Sequence, residues 1–305
     1  MTLIIAGHKL EKGFTWGGVD SELEESGLFI ASDSAITDSN NKTLLGGFKK
    51  VYSVPVRVWK PYFIENTFHS YQSIFYQSEC FIAIAGSTLT AQHVVNLISE
   101  HLANLQITYF PPSAENKQAY RVVRHCSENP LKIHPGIDSW SENMFTDNDY
   151  YGIVTGEVFD EVIEHSINTA LLSARKYKLD EDSLRQMYTE FAAGIYCPNL
   201  RKHRLFTYRT KHEKNQEGVY EVFAEKEEVL PNEVAVLGMA KRFKDGAQRK
   251  FEEAISSRTP PASVMFDYLN SAIDEVCKEG GAEIDRPSVL RYFEEGKIER
   301  VNFQS

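Results

Sequence analysis

Residues 80–88 read Cys80-Phe81-Ile82-Ala83-Ile84-Ala85-Gly86-Ser87-Thr88, and their reading decides the rest of the chain. Six consecutive apolar residues closed by a glycine describe a strand that ends at Gly86. The next residues change period. Val94, Val95, Leu97, Ile98, Leu102 and Leu105 recur at helical spacing, and Thr88 or Thr90 can cap their first turn. A strand therefore turns directly into a helix at Gly86.

Toward the N-terminus, Leu3 to Ala6, Leu28 to Ala31 and Val51 to Val54 are three further strand-like runs. Residues 12–26, rich in glycine and acids, read as a loop or an irregular hairpin end. Toward the C-terminus, residues 107–155 carry Pro, Asn, Ser and Asp without steady periodicity and read as an insertion with local elements. A helix returns at about residue 156 and closes in Arg175, Lys176 and Lys178, charges that suit a helix C-terminus. Asp180 to Tyr188 is a further helical piece. Glu190 to Cys197 and Leu205 to Arg209 flank Pro198-Asn199-Leu200 as a hairpin. Val219 to Phe223 and Val234 to Leu237 are strands, Lys241 to Ile255 and Ala262 to Cys277 are helices, and Ile298 to Phe303 is a last strand. This order is not a strict strand–helix alternation. It predicts an α+β layered sandwich with antiparallel sheets rather than a doubly wound parallel sheet.

The 305 residues are 42% hydrophobic and 25% charged, an ordinary globular composition. No repeat or linker interrupts them, so the chain reads as a single domain, 1–305, with insertions at about 12–26, 54–79 and 107–155. A net charge of −10 gives no general pull toward nucleic acid or anionic lipid. No stretch approaches the ~18 apolar residues of a membrane span, and nothing at the start resembles an export signal, which predicts a cytoplasmic protein. Cys80, Cys126, Cys197 and Cys277 are dispersed and read as reduced, mostly buried thiols.

Thr2 is the first residue with chemical promise. Methionine aminopeptidase removes Met1 before so small a residue, leaving a hydroxyl beside a free α-amine that can act as its base. Asp33 follows a strand, with Thr37 four residues on. Lys49 and Lys50 stand at the start of the next strand, and Gly86 ends the one after. Taken singly, each has a plain structural reading: a turn acid, solvated edge charges, a tight strand-to-helix turn. His125, Cys126 and His134 match no zinc spacing, and Ile84 to Thr88 lacks the glycines and lysine of a phosphate loop. Arg201 to Arg204 and Glu225 to Glu228 read as solvated charge runs.

The ordered blocks at residues 2–6, 28–37, 49–53 and 81–100 resemble the opening of the catalytic subunits of the proteasome family, including the bacterial proteasome-like peptidases. The resemblance implies a four-layer αββα sandwich of the N-terminal nucleophile (Ntn) hydrolase type and a threonine endopeptidase. It implies Thr2 as nucleophile, Lys50 as the charge that activates it, Asp33 as the acid that holds Lys50, and the Gly86 amide as oxyanion donor. Thr37 and Ala85 to Ser87 match the segments that hold a peptide as an added strand, and Ile36, Phe48, Tyr52 and Ile84 match the pocket for the side chain before the cut bond. The implied partners are a peptide or unfolded-protein substrate, copies of the same chain in a ring or stack, and a regulatory partner; no metal or cofactor is implied. The aromatics of residues 54–79 (Trp59, Tyr62, Phe63, Phe68, Tyr71, Phe75 and Tyr76) read as subunit contacts. Two departures are visible: no serine stands in Leu237 to Lys241, and Val276 to Glu279 lacks the expected acid and serine, leaving Asp274, Glu279 and Asp285 nearby. They favour an alternative, an idle structural or peptide-binding subunit; a second alternative keeps hydrolysis as an Ntn amidohydrolase acting on a small amide.

Overall fold

The computed structural model describes residues 2–13, 23–37, 43–111, 119–133, 144–177 and 179–305. The elements run β1 (Leu3–Lys12), β2 (Leu23–Ser32), β3 (Ile36–Thr37), β4 (Thr43–Leu45), β5 (Val51–Ile64), β6 (Thr67–Gly86), α1 (Thr88–Ala103), β7 (Leu105–Tyr109), β8 (Tyr120–Arg124), α2 (Pro130–Ile133), α3 (Gly156–Lys176), α4 (Glu181–Met187), β9 (Thr189–Cys197), β10 (Lys202–Lys214), β11 (Tyr220–Val229), β12 (Val234–Gly238), α5 (Ala240–Ser256), α6 (Pro261–Lys278), β13 (Ser288–Glu294) and β14 (Lys297–Gln304).

Two sheets face each other. One has the order β12-β1-β2-β13-β14; the other has β11-β10-β9-β6-β5-β7-β8. Alternation along each strand explains why the central runs are apolar without a break. In β1, Ile4 and Ala6 point between the sheets, while Leu3 and Ile5 point at α5 and α6. In β6, Phe81, Ala83 and Ala85 join the inter-sheet core, while Cys80, Ile82 and Ile84 pack under α1 and α3. Helix pair, sheet, sheet, helix pair makes the αββα sandwich, with three cores stacked through it. The pairing is antiparallel except for a short parallel contact of β5 with β7.

Residues 54–79 behave differently from the sequence reading. They are not outside the strand framework; they prolong β5 and β6 as one hairpin, closed by a two-residue turn at Glu65 and Asn66 with φ of 49° and 64°. Most of their aromatics face inward. Phe63 and Phe68 bury against Leu131, Phe75 packs on Tyr150, and Tyr76 stacks on Phe159. Trp59 donates its indole N–H to the Ala103 carbonyl at 2.9 Å, and the Tyr71 hydroxyl donates to the Ile107 carbonyl at 3.0 Å. Only Tyr62 of the set is exposed. Density of aromatics here reflects a satellite core.

Three smaller corrections follow from pairing that the sequence does not display. β13, unassigned from sequence, fills the gap between β2 and β14 and sends Phe293 into the inter-sheet core. Arg204, read as a solvated tip, forks onto Glu228 at 2.8 and 3.0 Å and reaches Glu157 at 3.0 Å. Two of the four cysteines, Cys126 and Cys277, are exposed rather than buried; all four are free thiols. His134 and most of residues 12–26 lie outside the described residues. No helix among the described residues is long and apolar enough to cross a membrane.

Candidate active site

The register of β1 on β2 brings the first two candidate residues together. Ile4 pairs with Ser32, so Asp33 falls beside Leu3, one residue from Thr2. Leu3 N donates to Asp33 Oδ1 at 2.9 Å, Ala35 N donates to Oδ2 at 3.1 Å, and Asp33 N donates to the Leu3 carbonyl at 3.2 Å. The carboxylate is thereby fixed before any cation approaches.

The cation comes from the other sheet. Lys50 immediately precedes β5, and its carbonyl accepts from Ile84 N at 2.9 Å. Its side chain crosses the sheet interface, and Nζ lies 2.8 Å from both Asp33 oxygens. Asp33 and Lys50 are 1% and 3% exposed. Burial pushes the Lys50 ammonium below the ordinary lysine pKa and the Asp33 carboxyl above the ordinary carboxylate value; their mutual attraction opposes both. Lys49, the alternative cation, is exposed, with Nζ over the Tyr52 ring. Adjacent extended residues point to opposite sides, so one lysine of the pair alone can enter the site.

A small cavity of about 60 Å³ is lined by Thr2, Ala35, Ile36, Thr37, Phe48, Lys50, Ile84, Gly86 and Thr88. It gathers the candidate nucleophile, the lysine, the candidate oxyanion donor and four of the candidate substrate contacts. Asp33 stands behind Lys50. Gly86 has φ of 103°, and a Cβ there would lie 2.3 Å from the Tyr188 carbonyl oxygen, so only glycine fits. A larger surface hollow of about 360 Å³, lined by Arg209, Glu227, Lys244 and Glu252 among others, collects solvated charges of both signs. A buried lysine–acid pair next to a hydroxyl makes the smaller cavity the candidate site.

Three candidate contacts are not brought to the cavity wall. Tyr52 packs into the core under α1 and α3, Ala85 points between the sheets, and Ser87 caps α1 with its amide N–H given to the Tyr188 carbonyl at 2.9 Å. Of the acids considered near residue 280, Asp274 holds Arg286 at 2.8 Å and Glu279 holds Arg242 at 2.8 Å, whereas Asp285 takes the Arg286 amide on Oδ1 and accepts Ser34 N, next to Asp33, on its carbonyl at 3.3 Å. Where a serine was expected, β12 instead presents backbone to Thr2. Met239 N donates to the Thr2 carbonyl at 2.9 Å, and Gly238, at φ of 81°, leaves no room for a Cβ, which would sit 1.9 Å from that carbonyl oxygen.

Sequence reasoning overlooked Glu190. It is 5% exposed, and its oxygens accept from Gly238 N and from the Tyr188 hydroxyl, each at 2.6 Å. The signal was a carboxylate heading an otherwise apolar strand, Phe191 to Ile195. Among the described residues no group of His, Cys, Asp and Glu is arranged to hold a metal.

Fold and site define an αββα sandwich with a buried lysine–acid pair behind a threonine at the head of its first strand. The chain is similar to the Anbu (Gly-1) mutant from Hyphomicrobium sp. strain MC1, with 13% identity, a TM-score of 0.47, and coverage of 100% of this chain and 86% of that one. It is also similar to Anbu (ancestral beta-subunit) from Yersinia bercovieri, with 10% identity, a TM-score of 0.44, and coverage of 98% and 86%. No family model matches the sequence, and no curated protein matches it. The resemblance drawn from the ordered blocks is corrected accordingly. These two structures are Anbu proteins, not catalytic subunits of the proteasome or bacterial proteasome-like peptidases, and the resemblance to those subunits does not stand. The blocks amount to an acid after a strand, a lysine before one and a glycine at a strand-to-helix turn, too little to separate one family from another.

Proposed function

We propose that the chain is a hydrolase subunit that cleaves peptide bonds with Thr2 as its nucleophile, once the bond before Thr2 has been broken and its α-amine is free. The observation that carries this reading is the Lys50–Asp33 pair, buried and doubly bonded at 2.8 Å, on the same cavity as Thr2 and Gly86. In this reading Thr2 Oγ attacks the carbonyl carbon and its proton passes to the α-amine. Lys50 stabilises the developing negative charge on Oγ. The oxyanion is held by the Gly86 N–H, a contribution of about 3–4 kcal/mol for such a donor. The tetrahedral adduct collapses by breaking its C–N bond, and the α-ammonium returns the proton to the leaving amine. Water then hydrolyses the threonyl ester. No metal or cofactor enters these steps.

Intact-mass measurement after treatment with an electrophile that captures hydroxyl and α-amine together tests the reading. A single adduct on Thr2, absent from Thr2→Ala, is expected. Lys50→Ala loses nearly as much activity as Thr2→Ala, whereas Lys49→Ala keeps it. Full activity in both Thr2→Ala and Lys50→Ala overturns the proposal.

A second reading, an idle subunit, is favoured by two observations: the cavity is small, and Met239 stands where a hydroxyl would support the amine. A retained residue before Thr2, with no adduct, is its signature. Hydrolysis of small amides without peptides points to the amidohydrolase alternative. Assembly of several copies belongs to the same proposal, and a protein that sediments as a monomer at micromolar concentration removes that part of it.

A further inference from the structure

We infer that Glu190 is a positioning residue that ties the support of the nucleophile to the turn carrying the oxyanion donor. This rests on Thr2 as nucleophile. The carboxylate is 5% exposed at the head of β9, where Glu190 pairs with Ala85 and Thr189 pairs with Gly86. One oxygen accepts the Gly238 amide at 2.6 Å. That residue lies directly beneath Thr2, and the next amide, Met239 N, holds the Thr2 carbonyl at 2.9 Å. The other oxygen accepts the Tyr188 hydroxyl at 2.6 Å. The backbone carbonyl of Tyr188 accepts from Ser87 N at 2.9 Å and closes over Gly86, forbidding a side chain there.

One carboxylate therefore bridges two backbone corners that belong to different sheets. The first carries Thr2 and the second carries Gly86. A tetrahedral adduct needs both at a fixed separation, and a shift of about 1 Å can lower a rate by about 100-fold. A glutamate suits the place because its two oxygens accept two donors at once. Arg209 Nε lies 3.7 Å from Glu190 while its Nη1 reaches Glu227 at 3.5 Å, so removing the acid does not strand the guanidinium.

The test compares Glu190→Ala, Glu190→Gln and Tyr188→Phe with the parent chain, following kcat and KM on an apolar peptide, the rate of Thr2 labelling by the electrophile, and Tm. Glu190→Ala is expected to lower kcat and labelling by about 10- to 100-fold with KM little changed. Glu190→Gln, which keeps an acceptor for Gly238, is expected to recover most of the labelling rate; Tyr188→Phe, which loses one arm and leaves the backbone intact, falls between. If Glu190→Ala does not fold, Tyr188→Phe and Glu190→Gln decide the matter. Thr2 labelled at the parent rate in all folded variants overturns the role of Glu190 alone. Loss of Tm in proportion to loss of rate, with no recovery in Glu190→Gln, also overturns it. A parent chain whose Thr2 is never labelled overturns the nucleophile and this inference with it.

Discussion

Replacing Lys50 by methionine removes one charge of a buried ion pair. The Asp33 side chain is 0% exposed and keeps only the two backbone donors, Leu3 N and Ala35 N. Removing one partner of a buried pair costs about 3–5 kcal/mol. At the low end of the sensitivity for larger chains, about 2 °C per kcal/mol, that is a fall in Tm of roughly 6–10 °C. Direction with pH is also set. Burial already holds the Asp33 carboxyl above its ordinary value, and without Lys50 nothing of opposite charge pulls it down. The folded variant then holds the Asp33 proton more tightly than the unfolded chain. Its stability is fullest below the ordinary carboxylate pKa and is lost as pH rises through the raised value. The Lys50→Met deficit should therefore be small in mild acid and large at neutral pH. Adding Asp33→Asn, which keeps an acceptor for Leu3 N and discards the charge, should return most of the lost stability while leaving hydrolysis absent. Thermal and urea unfolding of the two singles and the double across pH provide the cycle. A Lys50→Met chain as stable as the parent at neutral pH, or a double variant no better than the worse single, refutes the claim that these charges are coupled in a dry interface.

Thr2→Ala should abolish hydrolysis with Tm within about 1 kcal/mol equivalent of the parent, because the backbone contact from Met239 N to the Thr2 carbonyl survives; kinetics and calorimetry together check it. Gly86→Ala should cost at least about 1–3 kcal/mol and silence the site, since it combines a left-handed backbone with a Cβ 2.3 Å from the Tyr188 oxygen; unfolding by urea reads the loss. Phe63→Ala should cost about 3 kcal/mol, because its ring is buried and lies 4.8 Å from that of Phe145, and limited proteolysis should then cut the β5–β6 hairpin first. Peptides should be cleaved after apolar residues, because Ile36, Phe48 and Ile84 line the cavity; a library cut mainly after Asp or Glu contradicts this.

Much of the fold was legible because its evidence is local. Six apolar residues ending at Gly86, a helical stripe from Val94 to Leu102 and turn residues at Pro198 and Asn199 each specify an element from within a window of a dozen residues. The same holds for candidate chemistry: Thr2, Asp33, Lys50 and Gly86 stand at strand ends that the sequence marks. That one lysine of the pair Lys49 and Lys50 faces the site was also local, since extended backbone sends neighbours to opposite sides.

What the tertiary structure decided is non-local. Pairing of β13 between β2 and β14, the continuation of residues 54–79 as one hairpin, and the inward turn of its aromatics depend on partners far along the chain. So does the site's closure. Lys50 reaches Asp33 across the gap between two sheets, and Glu190 joins Gly238 to Tyr188 from a third position. Sequence period gives the face on which a side chain lies. It does not give the register that sets two faces against each other, and a displacement of one residue in that register would send Lys50 to solvent and leave Glu190 buried without its donors.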